Sequence, residues 1–436
     1  MRERIANAQL AIAPTTLSLY GMLLLACLNP VLRPALDLPI TPYYVLVPFI
    51  AVVVLGASAR LRVLAVAAGA FFFLVLLLGM LADTPLSVQL PQLLKYVQLL
   101  VLFAMLYLLR QSDPHFVSRC RRLVIGVALL AFAIAGLQGV WHFEFPTVVN
   151  EESSAWLNTF FFTPNDLALF LAPVLVLVVL GRGSALFKVL FIVAFIVLNV
   201  RNDAKAILIA AGLMLLVLAC VKVGRALRLP PTLLIAAVAV LAVVGVLNYA
   251  DAAFEFNEQE VSALELLVDP LQRLWQLEPY NLGGSIFDRT DALIYALTEL
   301  KAHHWLGLGP GGSVYVLSLP RYELLTAMSL HNAVAELAID LGPVFALPLL
   351  IVLLRVIARV SRRGAYDTRD VARAAMVIAL PFLAVSQSSG YISNYAFWVA
   401  AYLAWHMPAM PAARQRVTQR RAPLTAPAAV GAVTPS

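Results

Sequence analysis

Apolar residues in this chain come in long unbroken runs, not at the spacing of a single helix face. Roughly a dozen runs of about 16 to 22 residues centre near residues 19, 50, 72, 102, 132, 173, 192, 213, 239, 343, 382 and 400, each close to the ~20 residues a helix needs to cross ~30 Å of hydrocarbon. The pattern predicts an all-α, polytopic integral membrane bundle of about 12 transmembrane helices. Polar joins between the runs are short, except for one long loop between the ninth and tenth. The chain then divides into helices 1 to 9 (1–248), the loop (249–329), helices 10 to 12 (330–410) and a tail (411–436). The tail, rich in Pro, Ala, Thr and Arg, cannot bury enough apolar surface to order itself and is expected to be disordered.

Inside the loop, "QEVSALELLVDPLQRLWQL" and "SIFDRTDALIYALTELKAHH" both show helical periodicity, with the turn-rich "EPYNLGG" between them. The periodicity predicts a small helical cap. No internal repeat or inverted pair of broken helices stands out, which weakens a transporter reading built on such symmetry.

Composition sharpens this picture. The chain is 62% hydrophobic and 13% charged, against about a quarter charged in soluble domains. No small-residue cleavage site follows the first run, so the reading keeps it as a helix. About 23 of the 31 Lys and Arg fall in alternate joins, from "MRER" to "ARQRVTQRR", which puts both termini on the cytoplasmic side and the long loop outside. The net charge of +7 is therefore a topology signal and gives no argument for nucleic-acid binding. Cys27 and Cys220 lie in apolar runs and Cys120 in a basic join, so no disulfide framework or metal cluster emerges.

Basic residues on the outer face are scarce, and those that occur need a reason. The turn "LNVRNDAKAILIAAG" carries Arg201 and Lys205. A helix starting near Asp203 as N-cap would set both cations by its positive end, a natural anion site. Against this stands the reading that Arg201 snorkels to headgroups or pairs with Asp203. Arg289 shares a stripe with Leu293, Ala296 and Leu300 and is expected to point toward the apolar side. There its guanidinium fork would suit phosphate oxygens; an ion pair with Asp288 or Asp291 is the alternative. Arg273 and Arg321 have weaker cases.

"HHWLGLGPGGSVY" lacks the Lys of a phosphate loop and follows no strand, so it reads as a turn. His303 and His304 point about 100° apart on a helix and make a poor metal pair. The acids of "FEFNEQE" and "NEESS" could hold a divalent cation but read more simply as solvated loop faces.

A polar cluster opens the tenth run, "AMSLHNAVAELAIDLGPVFALPLLIVLLRV". His331 and Asn332 could merely cap a helix. An imidazole near neutrality can also accept a proton from a hydroxyl, and two arginines fit for a phosphate-bearing leaving group are expected on the same face. Base and leaving-group clamp together suggest group transfer. Glu336 and Asp340 sit roughly 140° and 180° round from His331 and are expected to serve neighbouring elements.

The order of "FFTPNDLALFLAP", an outer arginine turn, one long loop with Arg289 then "GLGPG", and "LHNAVAELAIDLG" resembles the O-antigen ligase and polymerase superfamily. The likeness covers about residues 60 to 400. It implies a GT-C-type bundle in a bacterial inner membrane with its active site facing the periplasm. Arg201, Arg289 and Lys205 would hold the pyrophosphate of an undecaprenyl-pyrophosphate-linked glycan, and His331 would activate the acceptor hydroxyl, with Asn332, Asn165 and Arg321 in support. It further implies an inverting transfer with no metal or cofactor, to lipid A-core in a ligase or to another lipid-linked glycan in a polymerase. The reading from a different class is a flippase or transporter of lipid or glycan, whose charges would line a path through the bilayer.

Overall fold

The computed structural model describes residues 14–28, 42–141, 157, 159, 161, 163–227, 253–256, 259–280, 285–320, 322, 330, 332–361, 368–385 and 394–407. Its helices are α1 (Pro14–Cys27), α2 (Pro42–Ala57), α3 (Ala59–Leu81), α4 (Leu86–Ser112), α5 (Phe116–Trp141), α6 (Pro164–Leu180), α7 (Ala185–Arg201), α8 (Lys205–Leu227), α9 (Ala263–Gln276), α10 (Ser285–Ala302), α11 (Gly312–Leu317), α12 (Ala333–Leu341), α13 (Pro343–Ser361), α14 (Thr368–Val385) and α15 (Tyr395–Trp405). Among the described residues α3, α4, α5 and α8 are long and apolar enough to cross a membrane, and α1, α2, α6, α13 and α15 contain shorter apolar helices. The fold is that of a helical membrane protein. The run near residue 239 and the tail lie outside the described residues.

Side chains that face outward on the long helices are those a lipid medium tolerates: on α3, Val63, Val66 and Phe73 are all exposed. The centre belongs to α6. A helix apolar all round is a buried one, and Leu167 through Val178 are enclosed without a break, with α5, α7, α8, α14 and α15 packed around it. Its start is set by Thr163, whose hydroxyl accepts the Asp166 N–H at 3.1 Å, followed by Pro164 at the first helical position, where its missing N–H costs nothing. Asn394 caps α15 through the Phe397 N–H and also donates to the Asp166 carbonyl at 2.9 Å, tying the two helix starts together.

Two sequence expectations need correction. Residues 259–262 of the first cap segment pair with 253–256 in an antiparallel hairpin, β1 (Ala253–Phe256) with β2 (Gln259–Ser262), and the helix begins only at Ala263. The alternating Val261 and flanking polar residues serve a strand as well as the first turn of a helix, and pairing decides between them. The tenth run is not one helix either. Gly342, at φ 62° and ψ −151°, breaks it between α12 and α13, a conformation open to glycine and costly for other residues. The polar residues of its first half therefore ride on a short separate helix ahead of the apolar one.

Candidate functional site

The most tightly specified polar cluster is built round Asp340. Its carboxylate is buried and accepts the Gly311 N–H and the Ser313 N–H, each at 2.8 Å. The Leu308 N–H donates to the Ile339 carbonyl at 3.0 Å and the Gly309 N–H to the Asp340 carbonyl at 2.9 Å. From the other side Thr84, in the turn between α3 and α4, donates its hydroxyl to the Leu308 carbonyl at 2.7 Å, while Gln89 donates to the Thr84 carbonyl at 2.7 Å. Gly309 is required here: at φ 82°, a Cβ on it would stand 2.3 Å from the Gly79 Cα. The "GLGPGG" segment is thus a turn, as its sequence suggests. The Gly311 N–H within it and the Ser313 N–H just past it are turned on an internal carboxylate, the position a phosphate would take in a nucleotide cradle.

Asn332 caps α12, its side-chain oxygen accepting the Ala335 N–H at 3.1 Å. One turn on, Glu336 is buried, and its Oε1 has no hydrogen-bond partner among the described residues. Lys95, half-buried on α4, lies within reach of its charge. The same helix carries buried Gln89, Gln92 and Tyr96 at spacings of three and four, and the Tyr96 hydroxyl approaches Asp340. His331 and Arg321 lie outside the described residues.

The Arg201 turn departs from its expected form. Asp203 is not the N-cap of α8; it sits at φ 51° as the left-handed residue that ends α7. The Asp203 N–H reaches the Val200 carbonyl at 3.2 Å and the Ala204 N–H the Asn199 carbonyl at 2.9 Å, the two bonds of a Schellman close. Arg201 is therefore the last residue of α7, by that helix's negative end, and is exposed. Lys205, the first residue of α8, pairs with Asp203 at 3.3 Å with both side chains largely in the open. Asn202 clamps the turn down, accepting the Leu157 N–H at 2.9 Å and donating to the Leu157 carbonyl at 3.2 Å.

Arg289 also differs. The buried face of α10 runs through Asp288, Asp291, Ala292, Ala296 and Leu300, leaving Arg289 exposed. The acids turn inward because they have work there: the Tyr280 N–H donates to Asp291 at 2.6 Å. Burial, followed by the neighbouring Asp269 carboxylate, pushes the Tyr280 phenol up from its ordinary value. Asn165 is exposed in the first turn of α6. His303 is half-buried and His304 exposed at φ 58°, where α10 ends. The backbone of 254–256 and 259–260 forms the hairpin; residues 150–154 lie outside the description.

The short α4–α5 join (113–115) and α6–α7 join (181–184) lie at one end of the bundle, where Arg121 donates to the Arg182 carbonyl; the α3–α4, α5–α6 and α7–α8 joins share the other, with Leu157 bonded to Asn202. The glycine turn is bonded to the first of these last three and Arg201 and Lys205 stand on the third. Among the described residues no group of His, Cys, Asp or Glu converges as a metal-ligand set. The sequence reading missed the Asp340 cradle, the Lys95–Glu336 coupling and the Asn202 and Asn394 clamps. The spacing of three buried Gln and Tyr positions along α4 was a signal for the first two. No protein-family model matches the chain, and no curated protein matches it either.

Proposed function

We propose that the protein is a membrane glycosyltransferase of the O-antigen ligase type, moving a glycan from undecaprenyl pyrophosphate to an acceptor hydroxyl, with lipid A-core as the acceptor. The reading takes all twelve apolar runs as spans of a GT-C-type bundle in the bacterial inner membrane, both termini cytoplasmic and the site facing the periplasm. The observation that carries it is the helix α12. It begins two residues after His331 in the chain, is capped by Asn332, and is bonded through Asp340 to a glycine turn at the end of the bundle where Arg201 and Lys205 are exposed.

In this mechanism His331 takes the proton of the acceptor hydroxyl as its oxygen attacks the anomeric carbon. The bond from that carbon to the phosphate oxygen breaks with inversion, and the electron pair leaves on undecaprenyl pyrophosphate. Arg201, Arg289 and Lys205 hold the charge that grows there, which matters more as the group departs than before. Asn332, Asn165 and Arg321 support the groups beside them. A glycosyl pyrophosphate already carries a good leaving group, so a base and charge stabilisation suffice.

The test is transfer in proteoliposomes holding a defined lipid-linked glycan and separate candidate acceptors. His331→Ala is expected to abolish product, and Arg201→Ala and Arg289→Ala to weaken donor binding. Unchanged product from His331→Ala overturns the base assignment. Product only with a second lipid-linked glycan as acceptor makes the enzyme a polymerase, and lipid translocation without glycosidic product makes the protein a flippase.

A further inference from the structure

Helix α9 is divided along its length in a way no other described element is. At 100° per residue, Val268, Leu271 and Trp275 fall within about 60° of one another, and they are 47%, 67% and 90% exposed. Half-buried Leu274 and Pro270 extend this arc on one side. Asp269 and Arg273 lie roughly opposite and are occupied: the Arg273 Nε donates to both oxygens of Asp269 at 3.2 Å, and its guanidinium lies over the Tyr280 ring at 4.2 Å. Gln272 and Gln276, both exposed, flank the apolar arc on the other side. α9 packs on β2 and α10, and neither covers the apolar arc.

Fourteen residues make a rod of about 21 Å, too short to span ~30 Å of hydrocarbon, and Asp269 and Arg273 rule out burying its whole circumference. An exposed tryptophan backed by aliphatic residues, with a polar face turned away, is the signature of a helix lying at a lipid–water boundary. Lipid is also the medium that suits the exposed valines and phenylalanine of α3, a helix long and apolar enough to cross a membrane. We propose that α9 lies in the plane of the membrane surface, with Val268, Leu271 and Trp275 inserted at the boundary between headgroups and acyl chains. The surface is a lipid-docking site of neutral chemistry, since the arc presents no basic residue. Because α9 packs on α10, this contact also fixes the height of α10, and with it Arg289, above the lipid. The placement holds whichever reaction the protein performs.

Six tryptophans are present, so the reading is a difference: emission of the full chain in proteoliposomes minus that of Trp275→Phe, repeated with Trp275→Tyr to show that the difference belongs to the indole. With phospholipids brominated in the upper half of the acyl chain, the Trp275 component is expected to be lost, while aqueous iodide leaves it largely intact. Quenching by iodide without quenching by bromolipid puts Trp275 in water and overturns the proposal. Protection from both quenchers places a protein partner or a second copy on the arc and overturns it equally.

Discussion

Replacing Asp340 with alanine leaves the Gly311 and Ser313 N–H groups without their acceptor. Both bonds are 2.8 Å and Asp340 is 2% exposed, so water has little access to take its place. Each stranded buried donor costs ~1–3 kcal/mol, giving roughly 4 kcal/mol together, a large share of the 5–15 kcal/mol that holds a typical domain. Asp340→Asn keeps one acceptor oxygen but turns an NH₂ group toward the second N–H, for about half that loss. The assay is thermal unfolding in detergent, with Lys205→Ala as control, because the Asp203–Lys205 pair is exposed and such pairs contribute little. Hydrogen exchange at the Gly311 and Ser313 amides localises the effect. If Asp340→Ala melts with the control and those amides stay protected, Asp340 does not hold the glycine turn.

Gly309→Ala drives a methyl group to 2.3 Å from the Gly79 Cα at a residue with φ 82°; it is expected to lower the melting temperature as much as Asp340→Asn does, read in the same scan. Asn202→Ala removes both bonds to Leu157 and is expected to cost ~1–3 kcal/mol and to raise proteolysis near residue 157, with Arg201→Ala as the unaffected comparison.

Helix positions were legible because hydrocarbon demands length and apolarity, both of which are written in the one-dimensional pattern. The break at Gly342 was written in the Gly342-Pro343 pair, which closes one helix and opens the next, but apolarity continuing past it masked the signal. Arg201 and Asp203 show a second limit. The residues of a tight turn were visible, but whether Asp203 opens α8 or closes α7 depends on which helix's terminal carbonyls it satisfies. At Arg289 the apolar stripe suggested inward pointing, and the deciding fact was a hydrogen bond from Tyr280 to Asp291 that draws the acids in. Partners brought from far along the chain, such as Thr84 for Leu308, leave no local trace in sequence.

The last described helix bears on how the chain is assembled. α15 lies against α1, α4, α5, α6 and α14, its first tyrosine donating to Gln98 at 2.7 Å and setting its ring, tilted, 4.5 Å from that of Tyr43. Helices made earlier in synthesis thus leave Gln98 and the apolar wall of α6 uncovered on this side until α15 follows them into the membrane. A chain cut short before residue 394 lacks the piece that covers them, and a polar amide is left facing the gap, which costs free energy in an apolar medium.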